Sequence, residues 1–110
     1  MVDLSPLGRI KSLETQLRAV LSKLDLYELP VDERKVVKAL KSDLTDVRLD
    51  IRDYEFADTL AEQTRHGKQA RKRLERVRKA ILTASEYNIF SAIDVALYTA
   101  QLEQIVDEIK

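Results

Sequence analysis

A chain of 110 residues with 19 Lys+Arg against 19 Asp+Glu is formally neutral and of a length for one domain, taken as residues 1–110. The absence of cysteine excludes disulfides and thiolate metal sites, and two glycines, Gly8 and Gly67, cannot build a glycine-rich phosphate loop. Two glycines and two prolines are also too few turn residues for an all-β chain, and no apolar run approaches the ~18 residues of a membrane span. An all-α, cytoplasmic protein with no membrane contact is expected.

Ser5-Pro6 has the form of an N-cap followed by proline in the first helical turn. Ile10, Leu13, Leu17, Val20, Leu24 and Tyr27 follow at spacings 3-4-3-4-3, a coiled-coil-like apolar seam that predicts a first helix over 5–27. Pro30 ends it, because the residue before proline avoids the α region.

The second helix is predicted over 31–66, about 35 residues and roughly 52 Å long. Asp32 and Glu33 favour its N-terminus. Its seam is Val37, Leu40, Leu44, Val47, Ile51 and Tyr54. The next seam slots are Asp58 and Ala61, while Leu49, Phe56 and Leu60 form a second apolar row. A helix with two apolar rows needs two partners. Asp58 is expected to be exposed, the seam having moved to Phe56 and Leu60. Thr64-Arg65-His66-Gly67 has the form of a helix end, with cations in the last turn and glycine at C′.

The third helix is predicted over 68–87 on the seam Ala70, Leu74, Val77, Ile81 and Ala84. The second helix's frame, carried past Gly67, reaches positions 65, 68 and 72, all basic, so the two frames belong to separate helices. Asn88 suits a left-handed helix stop, and Ser91-x-x-Asp94 has capping spacing. A fourth helix over 91–109 carries Val95, Tyr98, Leu102, Ile105 and Ile109, with Ile93, Leu97, Ala100 and Val106 beside them. Short connections make successive helices antiparallel. The predicted fold is an antiparallel bundle of four helices with a long second helix as its spine.

Charge is segregated: −3 over 32–64, +7 over 65–80 and −4 over 81–110. Lys68, Lys72, Arg76 and Lys79 fall opposite the third helix's seam, whereas Arg71, Arg73 and Arg78 flank it and are placed to pair internally. The acidic residues Glu55, Asp58 and Glu62 are expected near the basic start of that helix. Glu62 and His66 share a face, but one such pair falls short of a di-metal bundle's ligand set, so His66 is expected at the last carbonyls of the second helix. Asp43, Asp46, Asp50 and Asp53, interleaved with Arg48 and Arg52, are expected to be a solvated face. Tyr87, Phe90 and Tyr98 are expected to pack one end of the bundle.

The expected function is a non-catalytic helical protein-protein interaction module that self-associates, with Leu49, Phe56 and Leu60 as partner interface. A second copy or another helical protein is the expected partner. The alternative is binding of nucleic acid or another polyanion along Lys68, Lys72, Arg76 and Lys79. No cofactor or metal is expected.

Overall fold

The computed structural model describes residues 5–109, which form four helices: α1 (Pro6–Leu21), α2 (Val31–Glu55), α3 (Leu60–Glu86) and α4 (Ala92–Glu108). No strand occurs among the described residues. Each helix packs on its neighbour in the chain, and α1 also packs on α4, so the four close into an antiparallel ring. The α2–α3 pair is the most extensive contact, and the bundle measures 47 × 27 × 20 Å.

The seams form the core. Ile10, Leu13 and Leu17 of α1 are fully buried, as are Val37, Leu40, Leu44, Val47 and Ile51 of α2, with Tyr54 nearly so. Ala70, Leu74, Val77, Ile81 and Ala84 of α3 meet them, and Tyr98, Leu102, Ile105 and Ile109 complete one continuous cluster. Phe90 and Tyr98 pack edge to face at the end of the bundle, with ring centroids 5.6 Å apart. Tyr87 stays 37% exposed beside them.

Three helix starts have the expected chemistry. Ser5 Oγ accepts from the Gly8 N–H at 3.1 Å, with Pro6 in the first turn. Ser91 Oγ accepts from the Asp94 N–H at 3.1 Å. Asp32 and Glu33 occupy the first turn of α2. At the far end of α3, Asn88 takes a left-handed φ of 60° and its N–H donates to the Ser85 carbonyl at 3.0 Å.

Two boundaries differ from expectation. The first helix ends at Leu21 rather than at residue 27. Residues 22–30 form turns held by Arg34, whose Nε donates to the Leu26 carbonyl at 2.8 Å and whose Nη2 donates to Tyr27 and Leu29 carbonyls. Tyr27, placed in the seam by its spacing, is 92% exposed as a result.

The second difference is larger. The second helix stops at Glu55, not at residue 66, and Gly67 lies inside α3. The helix break expected at Gly67 from the mismatch of frames is therefore wrong: α3 passes unbroken through Gly67, and the change of frame falls at the turn over 56–59. Thr59 caps α3 by accepting the Glu62 N–H at 3.1 Å, a Thr-x-x-Glu signal that starts the helix at Leu60, seven residues before Gly67. The α3 seam then runs from Gly67 through Ala70, Leu74, Val77, Ile81 and Ala84 in one frame. The long spine is therefore shared by a hairpin of two helices, 25 and 27 residues long, with the 16- and 17-residue α1 and α4 against them. Asp58 is exposed in the turn between the long helices, as expected. His66 sits in the second turn of α3, not at a helix end.

Charge pairing between the helices is selective. Glu14 is the one buried charged residue among those described, 7% exposed. Its Oε2 accepts from Arg18 Nε and Nη2 at 3.1 and 2.9 Å, and its Oε1 lies 3.3 Å from Arg48 Nε across the α1–α2 interface. Arg18 also donates to the Lys41 carbonyl and to Thr45 Oγ1 of α2. Because both arginines keep contact with water, Glu14→Gln should cost only about 1 kcal/mol, a value that urea titration can read. A change within error would mean the cluster contributes nothing net.

Between the long helices, Arg73 donates to Asp50 at 3.1 Å and to Asp46 at 3.3 Å. Of the three arginines expected to pair internally, Arg73 does so across helices, and Arg78 pairs with Glu75 on its own helix. Burial pushes the Asp50 carboxyl above its ordinary value; Arg73 opposes this, and Asp46 and Asp53 add to it. Glu55 does not join the basic start of α3. Its Oε1 accepts the Leu7 N–H at 2.9 Å, a carboxylate at the positive end of α1.

Burial raises the Tyr98 hydroxyl above its ordinary value, and Asp94 raises it further. The fold thus prefers neutral Tyr98. Its contribution is complete below the unfolded value of about 10 and is lost as pH rises through the folded one. Tyr98→Phe should flatten the alkaline limb of stability against pH, measured by urea titration from pH 8 to 11. An unchanged limb would assign it to other groups.

Candidate interaction surfaces

Three surfaces stand out once the bundle is closed. The first is the expected apolar row. Leu49, Phe56 and Leu60 are 37%, 71% and 78% exposed. The fourth helix does not cover them, since α4 packs only on α1 and α3. The row is nevertheless divided. Phe56 is the C-cap of α2 and Leu60 the first residue of α3, so these two occupy the corner where the long helices turn. Leu49 lies two turns back along α2 and lines a cleft against α1.

The second surface is the basic stripe. Lys68, Lys72, Arg76 and Lys79 are all exposed, and none makes a salt bridge among the described residues. They share an arc of about 80° on the outer side of α3. Because α3 continues unbroken through Gly67, exposed Arg65 belongs to the same arc and lengthens the stripe to about 21 Å. The aspartate row on α2 is partly tied up: Asp46 and Asp50 accept from Arg73, and Asp53 lies 3.5 Å from Arg52. Among the described residues, no group of three or more His, Cys, Asp or Glu side chains is placed to hold a metal ion.

The third surface is the outer side of α4. Ile93 and Leu97 are 83% and 50% exposed, and Ala92, Ala96 and Ala100 beside them are exposed too. These residues fall beside the seam by spacing, but their exposure depends on which helices flank α4. The signal available in sequence was the stretch from Val95 to Leu102, which carries no charge.

None of the described helices is long and apolar enough to cross a membrane. The chain matches no family model, no curated protein and no solved structure.

Proposed function

We propose that the chain is a non-catalytic helical interaction module that pairs with a second copy of itself. The observation that carries this reading is the corner formed by Phe56 and Leu60, two large apolar side chains left mostly in solvent. Fully burying one such side chain contributes ~1.5–3 kcal/mol. A two-fold contact lets the same pair on each copy cover its counterpart, which a basic patch facing itself cannot do. The uncharged outer side of α4, with Ile93 and Leu97, offers a further area for a helical partner. The cysteine-free sequence is in keeping with a cytoplasmic setting. Light scattering across a concentration series tests the reading. Twice the monomer mass at high micromolar concentration supports it, and the monomer mass throughout overturns it.

A second reading rests on the continuity of α3. Arg65, Lys68, Lys72, Arg76 and Lys79 form a stripe long enough to follow several phosphates of a nucleic acid or another polyanion. Binding through it is sequence-indifferent, and about five neutralised phosphates imply a log–log salt slope near −4.5 on B-DNA, roughly. A fluorescence anisotropy titration with duplex DNA at low salt that finds no binding removes this reading.

A further inference from the structure

Between the first turns of α1 and the last turns of α2 lies a cleft of 330 Å³ lined by Leu7, Lys11, Arg48, Leu49 and Arg52. Three of the five lining residues are cations, and among the described residues no carboxylate lines it. Two anions sit beside it: Glu14, whose Oε1 lies 3.3 Å from Arg48 Nε, and Glu55, whose Oε1 accepts the Leu7 N–H at 2.9 Å. Glu14 is already engaged through its other oxygen with Arg18, so a single carboxylate serves two guanidinium groups. Arg48 Nε is buried and hydrogen-bonds to nothing among the described residues. Among the described residues, the ion pair of Arg52 is an exposed contact with Asp53 at 3.5 Å. The positive end of α1 is already met by Glu55 at the Leu7 N–H, so the cleft's positive charge comes from its three cationic side chains.

We propose that this cleft binds a small organic anion, a phosphate monoester or carboxylate joined to a compact apolar group. The cations of Lys11, Arg48 and Arg52 take the anionic head. Guanidinium groups suit this because their planar N–H pairs match two oxygens of a phosphate or carboxylate at once. Leu7 and Leu49 wall the cleft and take the apolar part. The volume lies at the lower end of the ~300–1,000 Å³ typical of small-molecule sites, which limits that part to roughly one ring. The cleft's residues lie on α1 and α2 and not on the α3 stripe, and Arg52 stands one turn before Phe56 of the corner.

Phenyl phosphate is the probe, titrated into the folded, isotope-labelled chain at low salt and followed by two-dimensional NMR. Saturable shifts confined to residues near Leu7, Lys11, Arg48, Leu49 and Arg52 are expected. The double variant Lys11→Gln/Arg52→Gln alters two solvent-reaching side chains and should keep the helical circular dichroism while weakening binding at least tenfold. Lys68→Gln/Lys72→Gln should leave it unchanged. Inorganic phosphate should bind the same residues more weakly, because Leu7 and Leu49 then contribute nothing. The proposal is overturned by shifts spread over every basic residue, by equal losses in both double variants, or by no saturation up to about 10 mM, beyond which the affinity falls below that of ordinary small-molecule sites.

Discussion

Leu44→Ala should lower the stability of the chain by about 2–5 kcal/mol. Leu44 lies midway along α2, is fully buried, and belongs to the seam that meets α3 in the most extensive contact of the bundle. Truncation removes apolar contact and leaves a cavity that two long packed helices close poorly. At roughly 4–8 °C per kcal/mol for a domain near this size, the thermal midpoint should fall by about 8 °C or more. Leu49→Ala, five residues on, should cost well under about 1 kcal/mol, because Leu49 is already 37% exposed. Similar losses at both positions would place the wrong side of α2 in the core.

Gly67→Leu should destabilise by about 3 kcal/mol, near the upper end of overpacking costs. The reason is proximity, not backbone conformation: Gly67 is helical, and no glycine of the chain has positive φ. A Cβ added there would meet Tyr54 and Ile109 side-chain carbons at 3.3 Å. Alanine places a methyl at that limit. Its better helix propensity, worth up to ~1 kcal/mol, offsets the crowding, and Ile109 stands just past the end of α4 where it can shift. Gly67→Ala should therefore lie within about 0.5 kcal/mol of the parent by urea titration. Were Gly67 a left-handed helix stop, alanine would instead cost about 1 kcal/mol, the ordinary penalty for Cβ in that conformation.

Gly67 also marks how far the sequence could be read. The seams were legible because burial on one side of a helix imposes its own period: all six predicted seam residues of α2 and all five of α3 are buried. The cap signals at Ser5, Ser91 and Asn88 were legible because they act within four residues. The α2–α3 turn was missed because Gly67 has two opposite local meanings, a helix stop or a place where another chain segment comes close. Only the position of Tyr54 and Ile109 decides between them. Thr59-x-x-Glu62 was the signal on the other side of the balance.

Tyr27 failed for a related reason. Its spacing continued the α1 seam, but the chain there is set by Arg34, seven residues away, donating to loop carbonyls. The candidate surfaces divide in the same way. The exposure of Lys68, Lys72, Arg76 and Lys79 followed from one helix's geometry and was read from sequence. The α1–α2 cleft needed Lys11 and Arg48 brought together across two helices, which no spacing within either helix reveals.

The central proposal is that Phe56 and Leu60 form the contact between two copies of the chain. Sedimentation equilibrium on the parent chain and on Phe56→Ser/Leu60→Ser tests it most directly. Both residues are largely solvent-exposed, so the variant should retain its helical circular dichroism and its urea midpoint at low concentration. The account predicts a parent dimer and a variant whose dissociation constant is at least about 100-fold weaker, from two apolar side chains no longer buried on each copy. A parent chain that stays at monomer mass, or a variant that pairs as tightly as the parent, would contradict it.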